Sequence, residues 1–272
     1  MRLLNRRPRA GAAALLALVP FGLAALAYSV GSDVRLAENP NDKLLPPLSA
    51  MADAVARYAF VADRRTGQYL LWADTWASLQ RLLTGVGVAT ALALAIGLAI
   101  GMVPVIRATF ARFFDVLSMA PPLALLPILF IVFGLGELSK VMLIVIGVAP
   151  FLIRDMALRA AEIPAEQIVK AQTLGGSTRT IVLRVALPQL LPRLIDGVRL
   201  SLGAAWLFLI AAEAIASESG LGYRIFLVRR YLSMDVILPY VAWITLLAFL
   251  SDWALRRLQR AAFPWFAAEQ GR

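Results

Sequence analysis

Residues 82–106 read Leu-Leu-Thr-Gly-Val-Gly-Val-Ala-Thr-Ala-Leu-Ala-Leu-Ala-Ile-Gly-Leu-Ala-Ile-Gly-Met-Val-Pro-Val-Ile, 25 residues without a charge. A helix that crosses the hydrocarbon core of a bilayer needs about 20 such residues. The stretch therefore predicts a membrane span, and two more runs meet the same criterion: 20 uncharged residues at 11–30 and 21 at 116–136. Three shorter runs, 141–153, 200–212 and 236–251, reach spanning length if a flanking Lys140, Arg199 or Asp252 sits in the interface. Long basic side chains snorkel there. The pattern predicts an all-α membrane protein with six transmembrane helices in a lipid bilayer.

Composition agrees. The chain has 272 residues, 60% of them hydrophobic, and a mean hydropathy of +0.75. Soluble domains run nearer 45–50% apolar. There is no His and no Cys. That removes imidazole bases, thiolate nucleophiles, disulfides and the usual zinc ligands. No catalytic set, no metal site and no cofactor is expected.

The net charge of +10 has a topological explanation. With the N-terminus in the cytoplasm and six spans threaded, the inner segments hold sixteen basic and four acidic residues, and the outer segments nine of each. This is the positive-inside arrangement, with both termini cytoplasmic. It leaves no call for nucleic acid. Arg2, Arg6, Arg7 and Arg9 before the first run resemble a signal-peptide n-region. The apolar core that follows is longer than the usual 7–15 or so residues, and no small-x-small site closes it. A retained helix is expected.

The expected organisation is a cytoplasmic N-terminus at 1–10, a first span at 11–30 and an outer segment at 31–76. A five-helix core at 77–262 with an inner loop at 154–193, and a cytoplasmic tail at 263–272, complete it. In the outer segment, Leu48, Met51, Val55 and Tyr58 recur at helical spacing, which predicts a short amphipathic helix over 48–60. Gly97 and Gly101 form a G-x-x-x-G step that permits close helix packing. Pro121, Pro122 and Pro127 should kink or break the third span. Broken helices in membranes often line a pathway, so Pro121 and Pro122 are candidate pathway residues. Glu213 is another. It lies deep in the fifth apolar run, where an ionisable group is costly and often functional. Its alternative is an interfacial carboxylate paired with Arg224 or Arg229. Arg81 and Arg199 read as snorkelling residues at span ends.

The longest inner segment is too polar for lipid. Ile163-Pro164 begins a helix, with Glu166 and Lys170 as an i,i+4 pair in the favourable order. Leu174-Gly175-Gly176-Ser177 then breaks the chain, a second short helix covers 179–187, and Leu187-Pro188 is expected to stop it. A helix–Gly–helix block between two spans is a device for touching another protein.

Val169-Lys170-Ala171-Gln172-Thr173-Leu174-Gly175, nine further residues, and Val185-Ala186-Leu187-Pro188 resemble the coupling motif of importer permeases of the ATP-binding-cassette class. That motif reads Glu-Ala-Ala, three residues, Gly, nine residues, Ile or Val, any residue, Leu-Pro. The Gly, the spacing and the Leu-Pro match. Val169 and Lys170 stand where Glu and Ala are usual, and Glu166 lies one turn earlier. Other stretches follow the order seen in permeases of the nitrate/sulfonate/taurine group. They are Leu44-Leu45-Pro46-Pro47-Leu48-Ser49, Ser78-Leu79-Gln80-Arg81, 121–127, 133–140 and Ser219-Gly220-Leu221-Gly222-Tyr223. Within the group the chain resembles permeases encoded beside urea- or guanidine-carboxylase genes.

The resemblance implies the type I importer permease fold in the inner membrane, with the loop at 154–193 carrying coupling helices. It implies three kinds of partner: cytoplasmic ATPase subunits, a periplasmic or lipid-anchored solute-binding protein, and a second permease subunit, expected to be the same chain. The ATPase-contacting residues would be Glu166, Lys170, Ala171, Leu174, Gly175, Gly176, Val185, Leu187 and Pro188. The chain has no G-x-x-x-x-G-K-[ST] phosphate loop of its own, so it is not expected to be an enzyme. The transported solute would be nitrate, a sulfonate such as taurine, or a urea- or guanidine-like compound. The rival reading is a channel or secondary transporter that needs no ATPase. Such a protein would carry charges in mid-span and often an inverted repeat, and only Glu213 answers to that.

Overall fold

The protein is described by a computed structural model covering residues 10–40 and 42–266. The basic N-terminus and the end of the tail, with Glu269 and Arg272, lie outside the described residues. In chain order the helices are α1 (Ala10–Glu38), α2 (Leu48–Phe60), α3 (Leu70–Leu92), α4 (Leu98–Met102), α5 (Pro104–Leu117), α6 (Leu126–Phe133) and α7 (Glu137–Ala161). They continue with α8 (Ala165–Thr173), α9 (Thr178–Ile181), α10 (Leu187–Ala216), α11 (Leu221–Arg229) and α12 (Met234–Ala262). No strand occurs among the described residues. Five helices there are long and apolar enough to cross a membrane, or six if one bent pair counts as a single span.

The helix ends differ from the apolar runs, for local reasons. The run at 82–106 is not one helix. α3 starts earlier, at Leu70, passes through a π-turn at Ala93–Gly97 and ends with α4 at Met102. Val103 is extended because Pro104 follows it. The Arg107 guanidinium turns back to cover the freed carbonyls of Ile100 and Gly101. The run at 116–136 is divided too. Pro104–Leu117 and Pro122–Phe133 meet at 84°, with Pro121 and Pro122 at the corner, as prolines in an apolar run predict.

The fourth and fifth spans are longer than their apolar runs. Lys140 does not snorkel. Its side chain is buried inside the first turn of α7, with Nζ donating to Glu137 Oε1 at 2.8 Å. Arg199 does not snorkel either, because it pairs with Asp196 and Asp252 at 2.8 Å each. Pro188 does not stop the helix. α9, a π-turn at Val182–Ala186 and α10 form one continuous helix, Thr178–Ala216. A proline removes one N–H and crowds the preceding turn. Widening that turn to π geometry makes the room, and the Gln189 side-chain amide donates to the Val185 carbonyl at 2.8 Å.

Two compact units are distinguished: Met1–Leu70 with Val228–Val241, and Leu71–Leu227 with Ala242–Arg272. In the first, Tyr28 and Ser32 on α1 donate to the carbonyls of Pro46 and Leu45 at 2.7 and 2.8 Å. The Arg35 guanidinium binds Asp42 and holds its carboxyl below the usual carboxylate range. The Tyr58 and Tyr240 rings meet edge to face.

In the second unit α7 is the central helix. Leu143, Ile144, Leu152 and Met156 on it are fully enclosed, as are Ala205, Leu209 and Ala212 on α10. The predicted close approach at Gly97 and Gly101 is present. A Cβ at Gly97 would stand 2.6 Å from Met156 Cβ, and one at Gly101 would collide with Ala160. Small residues let the backbones of α3, α4 and α7 come together where apolar area between helices gains little over lipid.

Candidate functional site

The segment 162–186 forms one end of the second unit. Ile163 is buried and anchors the turn out of α7. Pro164 precedes α8, and Glu166 stands in its first turn, where an acid suits the positive helix end. α8 ends on Gly175, whose φ of +80° is open to glycine and strained for a side chain. The Gly175 and Gly176 amides donate back to the carbonyls of Gln172 and Ala171 at 2.9 Å each. A Cβ on Gly176 would meet the Ala171 oxygen at 2.7 Å, so the turn needs both glycines. Ser177 then caps α9, accepting from Thr180 N at 3.3 Å.

The turn presents Leu174, which is 88% exposed at its tip. Glu166 and Lys170 also face solvent, whereas Ala171, Gly176, Val185, Leu187 and Pro188 are half-buried. Two contacts brace this projection to the stem of α10: Arg193 to Glu162 at 2.8 Å, and the Gln189 and Gln167 amides at 2.9 Å. The geometry is an exposed apolar knob on a braced helix–turn–helix, continuous with a 39-residue helix.

The other end of α10 carries Glu213, which is completely enclosed. Ser78 lies 2.8 and 3.0 Å from its two oxygens, Arg81 Nη1 donates to Oε1 at 2.7 Å, and the Gly222 amide donates to Oε2 at 2.8 Å. The neighbouring amides are also taken: Leu221 N by Ser78 Oγ at 2.9 Å and Gly220 N by Asp74 Oδ1 at 3.0 Å. Arg224 joins Asp74 at 2.8 Å. Successive amides of the turn at 220–222 thus meet three side chains from α3 and α10. Arg81 reaches further, donating to the Ser219 carbonyl and to both oxygens of Glu137, which Lys140 also binds. A cavity of about 560 Å³ opens beside Glu137 and Lys140, bounded on its far wall by residues 215–219.

Sequence reasoning singled out Glu213, and its partners differ from those expected. Arg81 pairs with it, while Arg224 belongs to Asp74. Arg81 is a buried cation and not a snorkelling one. Pro121 and Pro122 form the corner between α5 and α6 and are not among the groups that hold Glu213. The partners Asp74 and Ser78 were missed and Arg81 was read as an interface residue, although a signal was present. Their i, i+4, i+7 spacing places three polar side chains on one stripe of a lipid-length helix. Glu137 and Lys140 carried an i,i+3 signal of the same kind.

Known proteins resemble this chain in sequence and in fold. The family profile described as "Binding-protein-dependent transport system inner membrane component" matches residues 87–263. The chain is 36% identical over 201 residues to the taurine transport system permease protein TauC of Escherichia coli, covering 74% of this chain and 73% of the relative. It is 31% identical over 231 residues to the bicarbonate transport system permease protein CmpB of Synechococcus elongatus, covering 79% and 82%. Among solved structures, a chain of the MetNI methionine ABC transporter in an inward-facing conformation superposes with a TM-score of 0.62 at 21% identity, covering 73% of this chain and 99% of that one. That likeness shows the fold.

By its family and its relatives this chain is a permease subunit and is not itself an enzyme. The chain belongs to the binding-protein-dependent transport system inner membrane component family, as a multi-pass ABC importer permease of the nitrate/sulfonate/taurine group.

Proposed function

We propose that two copies of this chain form the pathway for a small oxyanion, and that a cytoplasmic ATPase pair drives it by alternating access. The carrying observation is the single helix Thr178–Ala216. It joins the turn bearing Leu174 and Gly175 to the cluster around Glu213, so a push on one end moves the other as one body. In this reading Glu166, Lys170, Ala171, Leu174, Gly175 and Gly176 enter a groove of the ATPase. Val185, Leu187 and Pro188 form the stem that carries the movement. Closure of the ATPase on ATP is the switch, and the permease bundle is the bistable element it biases. Both termini and residues 154–193 face the cytoplasm, and 31–76 faces outward towards the solute-binding protein.

Two relatives named for taurine and bicarbonate transport support an oxyanion. Pro121, Pro122 and Glu213 keep a pathway role in a particular sense: the corner and the buried carboxylate hold the elements that move, without touching solute themselves.

The test is copurification followed by transport. A tagged chain extracted gently from its native membrane should bring a cassette ATPase with it in stoichiometric amount. Liposomes reconstituted with that complex and its binding protein should take up taurine, nitrate or another small oxyanion in an ATP-dependent way. Uptake that persists without ATP would overturn the coupling, and uptake of guanidinium in preference to every oxyanion would overturn the solute class.

A further inference from the structure

We propose that Arg81 and Lys140 form an oxyanion receptor in the pathway, that the Glu137 carboxylate occupies it in this structure, and that a sulfonate or carboxylate solute enters by displacing Glu137. The inference rests on the importer reading above and adds a place for the solute to bind.

The receptor is built before any solute arrives. The side chains of Arg81 and Lys140 are 6% and 4% exposed, while that of Glu137 is 63% exposed. Two cations are therefore fixed in the protein, and the anion between them is the group open to water. Arg81 offers Nε and Nη2 to the two oxygens of Glu137 at 2.5 and 2.8 Å, and Lys140 Nζ reaches Oε1 at 2.8 Å. This is the two-pronged guanidinium geometry that recognises any group presenting two oxygens. Carboxylates and sulfonates both do. Glu137 also starts α7, a 25-residue helix whose N-terminal end favours negative charge.

Displacement has room. Glu137 lines the cavity of about 560 Å³, with Lys140 and Ser219 on its walls. The chain before it is Gly134-Leu135-Gly136. Gly134 has a φ of +74°, and a Cβ at either glycine would meet nothing within 4 Å. This short segment can turn Glu137 outward without unpacking a side chain. Once it leaves, Arg81 keeps Glu213 and the Ser219 carbonyl as partners while Lys140 has lost the carboxylate it bound, so the two cations and Glu213 leave one positive charge in excess. Glu218 on the rim is exposed to water, where its charge is screened. A cationic solute would meet two buried cations instead. The tethered competitor also keeps the site weak, and a transport site must release what it binds.

The full-length chain in lipid nanodiscs tests this, with thermal unfolding as the readout and methanesulfonate as the probe against chloride at equal ionic strength. Removing a competitor raises apparent affinity by the inverse of the free fraction. The Glu137→Ala variant should be stabilised by methanesulfonate with a half-effect at a concentration about tenfold or more below that of the parent chain. Chloride should do neither. Adding Lys140→Met should abolish the gain. If Glu137→Ala does not fold, Glu137→Gln carries the same comparison. Equal responses to the two salts, or equal responses of parent and variant, would overturn the receptor. ATP-driven uptake by the parent complex separates the two ideas: if it occurs without the methanesulfonate effect, the receptor falls and the importer reading stands.

Discussion

Arg81 Nη1 stands 2.7 Å from Glu213 Oε1 across 132 positions of sequence, and both side chains are withdrawn from solvent. One residue comes from α3 and the other from the far end of α10. The pair fixes the relation between a helix that contacts the turn at 217–222 and the helix that continues to the coupling turn. Breaking it reaches both.

Arg81→Met should leave Glu213 buried with its main counter-charge gone. Removing one partner of a buried pair typically costs about 3–5 kcal/mol, whereas replacing both by apolar residues is often neutral or better. The single variant should show a large fall in unfolding temperature, and Arg81→Met with Glu213→Leu should recover most of it. A single variant as stable as the parent would remove the ion pair from the account.

Gly175→Val should insert into membranes normally and lose coupled uptake. A left-handed backbone costs a residue with a Cβ about 1–2 kcal/mol, and the turn relieves that by shifting the exposed tip. Gly175→Asn should retain most uptake, because Asn tolerates this conformation. Uptake and ATPase stimulation, measured side by side, check the pair. Normal uptake by the Val variant contradicts the coupling role.

Leu174→Asp should leave the permease as stable as before, within about 0.5 kcal/mol, since the side chain is almost wholly exposed. It should nevertheless copurify with much less ATPase. Undiminished ATPase recovery would mean that the tip is not a docking knob.

Two glycines about three helical turns apart should respond in opposite ways. Gly97→Leu must overpack against Met156 and should cost about 1–3 kcal/mol or more. At Gly87 nothing lies within 4 Å of an added Cβ, so Gly87→Ala should be stabilising by up to about 1 kcal/mol. Unfolding temperatures of the two variants decide the matter.

What was readable in the sequence was mostly local. The spacing of Leu48, Met51, Val55 and Tyr58 predicts a helix over 48–60, and α2 occupies Leu48–Phe60. Gly175-Gly176-Ser177 predicts the turn, and Pro121-Pro122 the break. What failed depended on partners distant in the chain or on a compensating neighbour. Lys140 and Arg199 look like interface residues until Glu137, Asp196 and Asp252 are brought beside them. Pro188 looks like a stop until the π-turn before it is seen to absorb the clash. Glu213 was recognisable by its cost, but its receiver Arg81 comes from another helix.

The unbroken helix Thr178–Ala216 also sets a rule for insertions and deletions. Each residue of an α-helix advances the azimuth by about 100°. A single-residue deletion between the π-turn and Glu213 would swing the carboxylate about a quarter turn or more away from Ser78 and Arg81 while the coupling end stayed in place. Losses of seven residues, close to two whole turns, would shorten the rod yet keep both ends in phase. Length in this stretch is therefore quantised, and its tolerance of change depends on angle before it depends on distance.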